Sequence, residues 1–159
     1  MAISPNTDFT AGQILTATQQ NQFPRGVVAY TASTTSPSAV GTTEAVVLTG
    51  GSFTAVANRY YRVTYFEPQA YTASGSPALY STNIRLTNLA GAIQRNMLKS
   101  QAGLNTQDNY LTMSAVLTFS AGSTNLVVTG KSPTVGSTVA LVRDATSVAF
   151  LLVEDIGPA

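Results

Sequence analysis

Residues Tyr110-Leu-Thr-Met-Ser-Ala-Val-Leu-Thr-Phe119 alternate with a period of two. Leu111, Met113, Ala115, Leu117 and Phe119 share one parity, and Thr112, Ser114 and Thr118 the other. That period is the mark of a β-strand with one face in a core and the other wet or at an interface. Leu79 to Asn88 repeats it, with Tyr80, Ile84 and Leu86 opposite Ser81, Asn83, Arg85 and Thr87. In Arg59 to Glu67 both parities are heavy, Tyr61, Val63 and Tyr65 against Tyr60, Arg62 and Phe66, which predicts a strand covered on both faces. Shorter β-branched and aromatic runs occupy residues 27–34, 44–49, 52–56, 92–100, 124–129, 137–142 and 147–154. Turn signals stand between them at Thr49-Gly50-Gly51, Ala57-Asn58, Ser120-Ala-Gly122 and Pro133-Thr-Val-Gly136. About ten short strands without crossover helices or an internal repeat predict an all-β fold, an antiparallel β-sandwich or jelly roll, over residues 26–159. The predicted core takes Ile84, Leu86, Leu111, Met113, Leu117, Phe119, Val148, Phe150 and Leu152, and Glu154-Asp155 is read as an acidic cap on the last strand.

Residues 1–25 differ from the rest. They carry turn signals at Ser4-Pro5 and Ala11-Gly12 and no sustained period, as expected of an extended N-terminal arm. Thr16-Ala-Thr-Gln19 matches a capping box, in which the Thr hydroxyl accepts an early amide and the Gln reaches back, and so predicts a short helix near residues 17–22. Pro24 and Gly26 end it. Ile3, Phe9, Ile14, Leu15 and Phe23 are too irregularly spaced for one sheet face, and are expected to anchor the arm on a neighbouring subunit.

The chain of 159 residues suits one domain with a real core. It holds no Cys and no His, so a disulfide framework, a thiol nucleophile, a Ser-His triad and the commonest metal ligand are excluded. Charged residues are 9% of the chain, against roughly 25% in an average globular protein. The net charge of +1 offers no pull toward nucleic acid or an anionic membrane, and no run approaches the roughly 20 apolar residues of a membrane helix. A surface of Ser, Thr, Asn, Gln and Ala solvates weakly and favours assembly.

A carboxylate-pair hydrolase would have to draw on Asp8, Glu44, Glu67, Asp108, Asp144, Glu154 and Asp155, which are scattered between strands and turns, so no enzyme is expected. Calcium would need more oxygens than Glu154-Asp155 supply, and Thr49-Gly-Gly-Ser52 lacks the Lys and helix of a phosphate loop; no cofactor or metal is expected. Tyr60, Tyr61, Tyr65, Phe66, Tyr71 and Tyr80 cluster near Arg59 and Arg62. Such residues serve either as a platform for a sugar or, more ordinarily, to fill a core or subunit interface. On the second reading Arg59, Tyr61 and Arg62 are the interface candidates. Residues 70–77, with Tyr71, Ser74 and Ser76, read as an exposed polar loop that could touch a host surface glycan.

Three separate stretches carry a resemblance. Phe9-Thr-Ala-Gly-Gln-Ile-Leu-Thr-Ala with Pro24-Arg-Gly-Val27, Asn58-Arg-Tyr-Tyr-Arg-Val-Thr64, and Ala149-Phe-Leu-Leu-Val-Glu-Asp-Ile-Gly-Pro158 together resemble the opening, a middle strand and the finish of small structural and minor tail proteins of tailed actinobacterial phages. The resemblance implies a non-enzymatic virion structural protein on a β-sandwich, commonly assembled on a threefold axis, with other virion proteins as partners. With one domain, an arm and no shaft repeat, a trimeric capsid decoration subunit is the first expectation. A minor tail, tail-tip or fibre-head subunit and a carbohydrate-binding module are the alternatives. No catalytic residue is available to carry over.

Overall fold

The computed structural model describes residues 11, 12, 14, 16–74, 78–100 and 109–159. Among the described residues one helix, α1 (Ala17–Asn21), precedes eleven strands: β1 (Gly26–Ser33), β2 (Ala45–Thr49), β3 (Phe53–Ala55), β4 (Arg59–Ser74), β5 (Leu79–Leu86), β6 (Ile93–Ser100), β7 (Asn109–Leu117), β8 (Gly122–Thr124), β9 (Leu126–Lys131), β10 (Thr138–Leu141) and β11 (Ala149–Pro158). β1, β11, β4 and β7 lie side by side in the first sheet, with β10 continuing beside the far end of β4. The second sheet runs β2-β9-β5-β6, and β3 pairs with β8 in a small third one. Every pairing is antiparallel, and the chain crosses repeatedly between the two larger sheets, which is jelly-roll connectivity.

The two inner faces meet in one core. From the first sheet come Tyr61, Val63, Tyr65, Leu111, Met113, Leu151 and Val153; from the second, Leu48, Tyr80, Ile84, Leu126 and Val128. Phe53, Tyr61 and Phe119 close one end with ring centroids 5.5–5.7 Å apart. Tyr80 lies so close over β9 that a Cβ at position 130 would stand 2.3 Å from its hydroxyl, so only Gly130 fits there.

The helix forms where its local signal put it. Thr16 Oγ1 accepts the Gln19 amide at 3.2 Å and Gln19 Oε1 accepts the Thr16 amide at 2.9 Å, closing the capping box. Several other expectations need correction. The strand entered at Arg59 does not end at Glu67 but runs to Ser74, because β10 pairs with Ala70, Tyr71 and Thr72; most of the supposed polar loop is therefore sheet. That strand is sealed on its inner side only, since Tyr60, Thr64 and Phe66 are half-buried and Arg62 is exposed. The stretch 124–129 belongs to two strands, β8 and β9. The last strand does not stop at an acidic cap, and its parity is the reverse of that expected. Ala149, Leu151, Val153, Asp155 and Gly157 face inward, leaving Phe150 and Leu152 half-buried on the outside; Leu86, Leu117 and Val148 are half-buried too.

Two ion-pair networks brace the sandwich. Arg143, in the loop after β10, donates from Nε and Nη2 to the Glu67 carboxylate at 2.9 and 2.6 Å, and from Nη1 to the carbonyl of Val47 on the opposite sheet at 3.0 Å. Glu67 also accepts the Tyr65 hydroxyl, whose pKa burial pushes well up, so that it remains a donor. Both members of this pair are buried, and together they tie β4 to β2. The second network covers the outer side of the second sheet. Glu44 accepts Arg85 Nε and Nη2, each at 2.8 Å, as well as Asn83 Nδ2 and the Thr129 hydroxyl. Asn96 extends it to Asn83 and Ser81. The hydrogen bond from Arg85, against the opposing cost of partial burial, lowers the Glu44 carboxyl from 4.5 to about 2.

Removing one member of the buried pair strands the other. Glu67→Gln is therefore expected to destabilise the fold by about 3–5 kcal/mol in denaturant unfolding, while the joint change of Glu67 and Arg143 to apolar residues of similar volume costs much less. The depressed Glu44 carboxyl gives stability that is complete above its unfolded value and is lost as pH falls from about 4.5 toward 2. The difference in melting temperature between wild type and Glu44→Gln is thus expected to narrow across that window.

Candidate assembly surfaces

The arm is rooted on the sandwich through one guanidinium. Arg59 opens β4 beneath the Ala57-Asn58 turn, and its side chain is only 4% exposed. It donates from Nε and Nη2 to Asp155 at 2.6 and 2.7 Å. Its remaining donors hold the carbonyl oxygens of Asn21, at 2.5 Å, and Phe23, at 2.6 Å. Asp155 also accepts the Gly157 amide at 3.0 Å, and Arg25 stands 4.0 Å away. A planar fork with five donors can engage a carboxylate and two carbonyls at once, which an ammonium cannot. The α1 end, the last strand and the start of β4 meet here, beside a cleft of about 410 Å³ lined by Asn21, Gln22, Arg25, Asn58 and Pro158 among others.

A second feature is the outer face of the first sheet. Strand register sets three rows across β1, β11, β4 and β7: Ala32-Phe150-Phe66-Thr112, Tyr30-Leu152-Thr64-Ser114, and Val27-Glu154-Arg62-Val116. The Phe150 ring stacks on Phe66 at 5.4 Å and meets Tyr30 at 6.0 Å. Tyr30 is 58% exposed, Val27 60% and Val116 54%. The only charges in these rows are Arg62, exposed, and Glu154, half-buried, 3.9 Å apart. The second sheet differs: its outer side carries the network of Glu44, Arg85, Asn83 and Asn96, with exposed Val46 and Ile93 on its two edge strands.

The residues singled out in the sequence divide accordingly. Arg59 and Tyr61 are buried and unavailable to a partner, one held by Asp155 and the arm root, the other packed between Phe53 and Phe119 with its hydroxyl accepting the Val56 amide. Arg62 is exposed. Ile14 is 87% exposed and Phe23 partly so. Ile3, Phe9 and Leu15 lie outside the described residues, as does Ser76. Tyr71 is half-buried in β4 opposite Ala140, and Ser74 ends that strand. Tyr61, Tyr65 and Tyr80 are core residues, so they form no sugar platform. Among the described carboxylates, Glu44, Glu67, Glu154 and Asp155 pair with arginines and Asp144 accepts the Thr146 and Ser147 amides; none stands with two others in a metal-binding group. No described helix is long and apolar enough to cross a membrane.

Tyr30 and Val116 carry no local signal of an outer face, and Leu152, expected in the core, belongs to it as well. The available signal was the run Phe150-Leu-Leu-Val153, apolar at both parities, opposite a β4 that is heavy at both parities.

No protein-family model matches the chain, and no curated protein does. Among solved structures, Eiger TNF from S. frugiperda is 17% identical, with a TM-score of 0.51 over 85% of this chain and 96% of its own. The CBM22-1 xylan-binding domain of Paenibacillus barcinonensis Xyn10C is 12% identical, with a TM-score of 0.38 over 79% and 86%. The VP2 subviral particle of infectious bursal disease virus is 11% identical, with a TM-score of 0.44 over 86% of this chain and 38% of that one. The first of these likenesses shows a shared fold, the antiparallel β-sandwich described above.

Proposed function

We propose that this protein is a non-enzymatic structural subunit of a phage virion, a capsid decoration subunit that assembles with copies of itself as a trimer and docks on a neighbouring capsid protein through its N-terminal arm. The observation that carries the reading is the arm root. Arg59 fixes the backbone at Asn21 and Phe23, so the arm leaves the sandwich from a defined point, and Ile14 just beyond it is left uncovered by the chain's own fold. The resemblance of three stretches to small virion proteins gives the biological setting. The ion pairs that occupy the described carboxylates support a binding role over acid-base chemistry.

An arm works as a docking element when its apolar side chains find a partner. Each of Ile3, Phe9, Ile14 and Leu15 contributes on the order of 1.5–3 kcal/mol when buried, before the cost of ordering the segment is subtracted. Ordering costs about 1–2 kcal/mol per residue, so docking draws on main-chain hydrogen bonds to the partner as well as on these side chains.

Deleting residues 2–15 keeps the capped helix and both carbonyls that Arg59 holds. The truncated protein is expected to melt within a few degrees of wild type and to be lost from particles when it replaces the full-length protein during virion assembly. Normal incorporation of the truncated protein would show that the arm does not dock.

A further inference from the structure

We infer that the outer face of the sheet formed by β1, β11, β4 and β7 is the contact surface between copies of this chain; the inference rests on the assembly reading above and assigns it a surface. The middle of the face is aromatic and aliphatic: Phe150 stacked on Phe66, Tyr30 against Phe150, and Leu152 beside them. Exposed aliphatic residues stand toward both margins, Val27 on β1 and Val116 on β7. An aromatic centre depleted of charge is the composition of an interface core, and a contiguous exposed patch of this kind is unusual on a monomer.

The charges identify the occupant as a second copy. A nucleic acid or an acidic protein needs a cationic face, and a basic protein an anionic one, whereas these rows carry one charge of each sign. Arg62 and Glu154 are too far apart, at 3.9 Å, for a good charge-assisted hydrogen bond; Arg62 is exposed and Glu154 half-buried. The pattern is self-complementary. When three such faces meet around a threefold axis, the β4 side of one against the β11 side of the next, Arg62 of one copy can reach Glu154 of the next, so that no net charge is buried. The other large sheet is the weaker candidate: exposed Val46 and Ile93 stand apart on its two edge strands, with the mutually satisfied polar side chains of the Glu44 network between them.

Sedimentation of the full-length protein tests the assignment, with Tyr30→Glu and Val116→Glu placed on the face and Leu89→Glu, an exposed aliphatic position in the turn between β5 and β6 of the other sheet, as control. The expected pattern is an oligomeric wild type, self-association weakened about thirtyfold or more by each face substitution at unchanged circular dichroism and melting, and a control that sediments like wild type. Two variants guard against misfolding of either one. Arg62→Glu protein and Glu154→Arg protein are further expected to associate with each other more tightly than either does with itself. A monomeric wild type at the highest attainable concentration overturns the inference, as does an oligomer insensitive to both face substitutions. The second result removes this face while leaving the arm and its particle-incorporation readout untouched, so the two readings fail separately.

Discussion

The ion pair between Arg59 and Asp155 sets the parity of the last strand, and much of the molecule's character follows from it. In a strand the side-chain period is two, so placing one residue inside fixes the side of every other. Asp155 has to face inward to meet the buried guanidinium. Val153, Leu151 and Ala149 then go to the core, while Glu154, Leu152 and Phe150 go out. β11 lies between β1 and β4, so its outward residues become the middle of the sheet's outer face, flanked by Tyr30 and Phe66. The same guanidinium holds the arm root, so one arginine joins the arm, the first sheet and the chain's last strand.

Parity was also where the sequence was least legible. Phe150 to Val153 is apolar at every position, so periodicity cannot choose a face, and a bulky phenylalanine looks a better core residue than Ala149. The deciding partner, Arg59, is 96 residues away, and nothing local announces it. Where the signal was local or strictly alternating, the reading held. The capping box of α1 formed as expected, and the inward parity of β7 follows Leu111 and Met113. The extension of β4 through Ser74 was illegible for another reason. Ala70 to Thr72 have no strand pattern of their own and are made strand by pairing with β10, a tertiary cause. The candidate interface suffered from the same gap: Arg59 and Tyr61 have the composition of interface residues, and only the fold reveals that their partners lie within the chain.

The charges account for the unusual surface. A chain with few ionisable residues places Arg143 with Glu67 between the sheets, Arg59 with Asp155 at the arm root, and Arg85 with Glu44 in the network over the second sheet. These pairs give orientation more than stability. A buried pair is costly to desolvate and severe to break, and Arg143 reaches a carbonyl on the opposite sheet as well as the carboxylate, which discriminates against a slipped packing of the two layers. That leaves the exterior poorer in charge than the composition alone implies, with Arg62 and Glu154 as the charges on the rows of the first sheet.

An exterior of this kind has two sides with different chemical requirements. The second sheet carries a polar, internally satisfied network, with exposed aliphatic side chains only singly, Val46 and Ile93 on its two edge strands. The first sheet exposes rings and aliphatic groups whose burial is favourable in proportion to the apolar area removed from water. Folding alone does not cover them, because the strand order that buries Leu151, Val153 and Asp155 necessarily turns Phe150, Leu152 and Glu154 outward. The core and the sticky face are consequences of the same register. Changing one without the other would require moving Asp155 away from Arg59, which would leave a buried charge unpaired at the root of the arm.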